Sequence, residues 1–113
     1  MNLKIIPTES FKKEVKHLKK KYPRITLSLK ELDRSLQQGN FGVPLGKGVF
    51  KKRVKNIDIQ KGKSGGFRVI GYKDIQMEKF YLLTIYSKSD KETIRDQEII
   101  ELLKGIVVPG ISS

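Results

Sequence analysis

The sequence has no cysteine. That excludes a disulfide framework, a cysteine-based zinc site and a thiol nucleophile. A single histidine, His17, leaves almost nothing for a histidine-ligated metal, and the plainest account of it is a bystander. No apolar run approaches the roughly 20 residues that a membrane-spanning helix needs. Met1 to Pro7 is too short for a secretory signal and runs into charge, so a cytoplasmic protein with no membrane partner is expected. Repeats and low-complexity segments are absent. Acidic residues are few: 12 Asp and Glu stand against 24 Lys and Arg, for a net charge of +12. Such a chain seeks a polyanion. At 113 residues it makes one domain, or one domain with short tails, large enough for a modest core.

Periodicity supplies the elements. Leu3 to Ile6 reads as a short strand closed by Pro7. A helix follows, with Thr8 as N-cap and Phe11, Val15, Leu18 and Tyr22 on one apolar face. Its other face carries Lys12, Lys13, Lys16, Lys19 and Lys20, most simply a solvated surface. Pro23 ends it. Ile25, Leu29, Leu32 and Leu36 mark a second helix, antiparallel to the first, that Gly39 stops. Ser28 and Glu31 have capping-box spacing, which would start this helix a turn later. Gly39 to Gly48 reads as a loop.

Three strands come next, from about Val49 to Lys55, Gly66 to Tyr72 and Phe80 to Tyr86, forming an antiparallel meander. A last helix is expected over Asp90 to Lys104. Ser89 and Glu92 have capping-box spacing, and Ile99, Leu102, Leu103 and Ile106 form an apolar stripe. The class is α+β: a strand, two antiparallel helices, a three-stranded antiparallel meander and a C-terminal helix, with helices packed on one sheet.

The positive charge is concentrated. Between Lys47 and Lys73 lie nine basic residues, among them Lys51, Lys52, Arg53, Lys55, Lys61, Lys63 and Arg68, opposed only by Asp58. The last helix instead holds Asp90, Glu92, Asp96, Glu98 and Glu101. On strands, residues two apart share a face. Arg53 pairs in this way with Lys55, and Arg68 with Ile70 and Tyr72. Strict alternation puts Phe80, Leu82, Thr84 and Tyr86 together, with Lys88 in line. If these faces coincide, they make a phosphate-binding surface with an aromatic stacking platform. The competing account of Lys51 to Lys55 is an edge strand whose lysines discourage aggregation.

The run Gly62-Lys63-Ser64-Gly65-Gly66-Phe67-Arg68-Val69-Ile70, followed by Phe80-Tyr81-Leu82-Leu83-Thr84-Ile85-Tyr86-Ser87-Lys88, resembles the RelE/ParE superfamily of type II toxins. Within it the run looks most like the HigB-like branch, with a basic glycine-rich stretch before an arginine and then a hydrophobic strand ending Y-x-K. The element order fits that family over roughly the whole chain. The resemblance implies a RelE-like fold with a microbial-ribonuclease-like sheet, cleavage of mRNA in the ribosomal decoding site, and a cognate antitoxin that silences the toxin. By the same resemblance Arg68 matches the arginine after the glycine turn, Arg53 and Lys55 match paired basic residues on the first meander strand, and Lys88 lies near a basic position after the last strand. Related toxins often carry a tyrosine or histidine near the C-terminus. Here Arg95 falls in that region, and Tyr86 is the substitute candidate.

RNA brings its own nucleophile, the 2′-hydroxyl, so the chemistry calls for no metal and no cofactor. Arg68, Arg53, Lys55 and Tyr86 are the catalytic candidates. Arg68 would grip the phosphate in bidentate fashion, Arg53 and Lys55 would stabilise developing charge, and Lys55, crowded by cations, could pass a proton. Lys51, Lys52, Lys61, Lys63, Lys73 and Lys88 are expected to bind RNA or the ribosome. The expected partners are mRNA, the ribosome and an antitoxin that is acidic or carries an acidic segment. Two rival readings use the same residues: a ParE-like inhibitor of DNA gyrase, and an RNA- or ribosome-binding module without catalysis. The apolar tail from Ile106 to Ile111 would dock on the core or on a partner.

Overall fold

A computed structural model describes residues 3–59, 65–74, 76–91 and 93–106. The chain runs β1 (Lys4–Pro7), α1 (Glu9–Lys19), α2 (Ile25–Gln37), β2 (Val43–Gly46), β3 (Val49–Val54), β4 (Phe67–Asp74), β5 (Lys79–Ser87) and α3 (Asp96–Lys104). The five strands form one sheet in the order β1-β5-β4-β3-β2.

The α+β class and the antiparallel β3–β4–β5 meander stand as expected, but the sheet is larger. The glycine-rich segment expected as a loop contains β2, which pairs antiparallel with β3. The turn between them places Gly46, Lys47 and Gly48 at positive φ, where glycine costs least. At the other edge β1 runs parallel to β5, Ile5 beside Phe80 and Ile6 beside Tyr81.

Local chemistry sets the first helix. Thr8 caps it: its hydroxyl oxygen accepts from the Phe11 N–H at 3.3 Å and the same hydroxyl donates to the Leu82 carbonyl at 2.8 Å. One side chain thus starts α1 and moors it to β5. α2 begins at Ile25, a turn before the Ser28–Glu31 capping box would start it. A distant carboxylate replaces that cap, since Asp58 accepts from both the backbone N–H and Nε of Arg24, each at 2.9 Å. Ser28 is buried within the helix instead. α3 begins at Asp96 rather than Asp90, and the Glu98 carboxylate accepts the Arg95 N–H at 3.3 Å. Arginine has no acceptor to complete a capping box. Glu92 lies outside the described residues.

Helices cover both faces of the sheet. Phe11, Leu18, Tyr22, Ile25, Leu32 and Leu36 from α1 and α2 pack on Val54, Phe67, Val69, Phe80, Leu82 and Ile85. α3 packs on the second face, where Ile99 meets a cluster holding Val49, Ile70, Tyr81, Leu83 and Tyr86. Such burial contributes about 1.5–3 kcal/mol per large apolar side chain. β5 serves both faces, and its alternation is interrupted part-way. Ile70 pairs with Thr84 but Gly71 pairs with Leu82, so Leu83 is an extra, bulged residue. The bulge puts Phe80 and Leu82 on the α1/α2 face, opposite to Tyr86, rather than beside it as strict alternation expects.

Candidate nucleic-acid interface

Strand register answers whether the basic residues share a face. Arg53 lies directly across from Arg68, and Arg68 directly across from Tyr86. The three form one row over β3, β4 and β5, on the face that carries α3. Lys51 stands two residues along β3 on the same face, across from Ile70. Lys88 closes the row's far end, its N–H donating to the Gly66 carbonyl at 3.0 Å. α3 lies over β5, leaving Arg53 exposed and Lys51 half-buried beside it.

The electrostatics of the row are strongly positive. Arg68 is only 5% exposed, and its guanidinium donates to the Phe67 carbonyl at 3.2 Å. Burial, and then the Arg53 charge across the strand, lower its pKa. Burial also lowers that of Lys51, reinforced by Lys88, Arg68 and Arg53. Among the described residues no carboxylate forms an ion pair with Lys51, Arg53 or Arg68. Asp58, the one acid within the basic stretch, is spent on Arg24, whose guanidinium holds its pKa down. Cations that crowd one another without a counter-ion destabilise the fold, and a bound polyanion relieves that repulsion.

Not every expected residue joins. Lys52 points to the other face, buried at 8% exposure across from Val69, and burial lowers its ammonium pKa. Lys55 follows the end of β3 and is exposed at the rim. Lys73 lies five residues from Arg68 along β4, about 17 Å away. It pairs with Phe80, and its ammonium donates to the Asp74 carbonyl. Lys61 and Lys63 lie outside the described residues. Tyr86 joins the row but is not an open stacking platform. It is 8% exposed, the Lys91 ammonium lies over its ring at 5.7 Å, and burial raises its hydroxyl pKa. Its hydroxyl is buried without a hydrogen-bond partner. Lys91 is held there by Glu98 at 2.7 Å. A cleft of about 560 Å³ opens beside this group, lined by Thr84, Tyr86, Lys91, Ile94 and Glu98.

Lys51 gains most from the structure. Alternation along β3 puts it with Arg53 and sets Lys52 on the opposite face, and pairing to β4 makes the Lys51 face the one of Arg68. Its period-2 relation to Arg53 was the available signal.

Gly66 explains part of the glycine-rich motif. A Cβ there would sit 2.7 Å from the Val54 carbonyl oxygen, so only glycine lets the chain pass β3 this closely. Because Gly66 also receives the Lys88 N–H, Gly66→Ala should displace both Arg68 and Lys88. A loss of about 10-fold or more in RNA binding, measured by anisotropy, is expected from an ångström-scale misplacement.

The family model for the RelE toxin of the RelE/RelB toxin–antitoxin system matches residues 3–106. The chain belongs to the RelE toxin family. This RelE-family toxin also has the RelE fold. The free-state structure of an E. coli RelE mutant, in which two arginines are replaced by alanine, superposes with a TM-score of 0.59 at 15% identity. The match covers 95% of this chain and 100% of the other. Comparison with curated protein sequences gives no match. Among the described residues of the toxin, no helix is long and apolar enough to cross a membrane.

Proposed function

We propose that this toxin is a ribosome-dependent mRNA endonuclease, held silent by its cognate antitoxin, that cleaves by 2′-hydroxyl attack without a metal ion. The observation that carries the reading is the cross-strand row of Arg53, Arg68 and Tyr86, with Lys51 beside it and, among the described residues, no carboxylate paired to Lys51, Arg53 or Arg68.

In this reading Arg68 holds the scissile phosphate through its planar fork. Arg53 and Lys88 offset the charge that builds on the non-bridging oxygens. The 2′-oxygen attacks phosphorus, the bond to the 5′-oxygen breaks to leave a 2′,3′-cyclic phosphate, and the 5′-oxygen takes its proton from water. Lys51 takes the 2′-proton, since burial and then its cationic neighbours disfavour the ammonium form; Lys55 supplies charge at the rim. Tyr86 supports Arg68 from β5, its hydroxyl kept protonated. Among the described residues no histidine or glutamate pair faces the row, so the site relies on substrate orientation, which a ribosome provides. The antitoxin is expected to offer acidic groups to this surface.

The test is 5′-end mapping of an mRNA in a cell-free translation system. Cuts inside codons of translated message only are expected. Intact message and unimpaired translation reject the reading.

The proton acceptor has its own test. The Lys51 pKa is below the ordinary lysine value, so the neutral fraction, and with it the cleavage rate, should climb as pH rises from about 6 to 9. Lys51→Arg should flatten that rise in single-turnover assays. A parent enzyme with a flat profile removes Lys51 from the role.

A further inference from the structure

We infer that the outer face of α1 is a second RNA-binding surface, gripping the phosphate backbone of double-helical RNA on the opposite side of the molecule from the sheet cluster. It rests on the reading of this toxin as RNA-directed and adds a site to it.

Lys12, Lys13, Lys16, Lys19 and Lys20 are all exposed, and at 100° per residue they fall within an arc of about 120°. The apolar face of the same helix, Phe11 and Leu18, is buried against the sheet face remote from Arg53 and Arg68. The two basic surfaces are therefore separated by the sheet and α1 itself, and no one strand of RNA need serve both.

Other helices pair more of their cations with acids. On α3 and its approach Lys91 pairs with Glu98, Arg95 with Glu98 and Lys104 with Glu101; on α2 Arg34 pairs with Glu31. Among the described residues, the one α1 lysine with such a partner is Lys12, with Glu9 at 3.6 Å, both well exposed. Lys16 faces Lys12 and Lys20 at i±4 and Lys13 and Lys19 at i±3, arrangements that weaken a helix. A merely solvated face would be better served by mixed signs.

The chemistry of the face favours nucleic acid over an acidic protein. Lysine is depleted at protein interfaces, which are anchored by aromatic, methionine and arginine side chains, and this arc has none of these. Lysine ammoniums act as point charges that suit phosphates without demanding a fixed geometry. Lys12, Lys16 and Lys20 advance about 6 Å per step along the helix, the scale of successive phosphates on one strand. A rigid row suits a rigid duplex, which is recognised through backbone and shape.

The test is salt-dependent binding of the full-length toxin to a fluorescent RNA duplex of about 20 base pairs. Replacing Lys13, Lys16, Lys19 and Lys20 together by glutamine should reduce the slope of log K against log salt by about 3. Replacing the same four by arginine should leave it near the parent value. Glutamine has a helix propensity close to that of lysine, so the fold should survive; should circular dichroism show otherwise, Lys16→Gln with Lys20→Gln should still lower the slope by about 1.5. An unchanged slope overturns the inference. So does equal weakening of binding to poly-glutamate, which would make the face a site for acidic protein. Arg68→Ala, measured alongside, should keep most of the slope. A message never cut in translation would reject the proposed nuclease and leave this binding result readable.

Discussion

Arg68→Ala is expected to slow cleavage on translating ribosomes by about 10²–10³-fold, the loss typical when one preorganised charge-stabilising donor is removed. Arg68 is central in the row, flanked by Arg53 on one strand and Tyr86 on the other. It is also the most buried cation of the group. Its burial and its hydrogen bond to the Phe67 carbonyl restrain the guanidinium, so in the proposed mechanism a phosphate would meet a preorganised fork. Arg68→Lys keeps charge but loses the fork, and should recover only part of the rate. Stability should move the other way. The folded state disfavours the Arg68 charge, through burial and through Arg53, so Arg68→Met should melt no lower than the parent while remaining inactive. Lower activity accompanied by higher or equal melting temperature separates a functional arginine from a structural one. Full activity in Arg68→Ala would remove the row from the mechanism.

Gly71→Ala is expected to destabilise the protein by about 3 kcal/mol, roughly 10–20 °C in melting temperature. The backbone of Gly71 is not the reason, for its φ lies outside the positive region that favours glycine. Space is. A Cβ at Gly71 would run into the ring of Phe80 on the neighbouring strand. That ring has nowhere to go: it is 2% exposed, stacks on Phe41 at 5.2 Å between centroids and leans on Phe50 at 6.4 Å. Gly71 also sits at the β5 bulge, whose register delivers Tyr86 to the Arg68 face. Thermal unfolding would measure the effect, and Phe80→Leu should restore part of the loss in the double variant. A Gly71→Ala protein melting within a degree or two of the parent would show that the aromatic trio yields easily.

The same bulge marks where reading the sequence stops. Alternation along Phe80 to Tyr86 is a local signal, and one inserted residue reverses which face half of the strand presents. Nothing in the order of amino acids marks Leu83 as that residue. The helices were legible because their evidence is local too: Phe11 and Leu18 at helical spacing, a threonine cap, and Ile25, Leu32 and Leu36 facing one way. β2 was not, since Val43 to Gly46 is four exposed residues with a proline and a glycine, and only pairing to β3 makes it a strand. Asp58 looked like the counter-ion of the basic stretch; a contact 34 residues away gives it to Arg24 instead.

By itself the sequence determined the α+β class, the core-facing stripes of the helices, the meander and a large, clustered positive charge, because each depends on composition or on a period of a few residues. Only the tertiary structure decided which cations meet. Alternation along β3 sets Lys51 with Arg53 and Lys52 opposite, but it is pairing to β4 that brings Lys51 and Arg53 onto the face of Arg68 and buries Lys52 on the other. The physical reason is that side-chain period follows from the backbone of one strand, whereas register follows from hydrogen bonds between strands distant in sequence, and it is register that assembles the site.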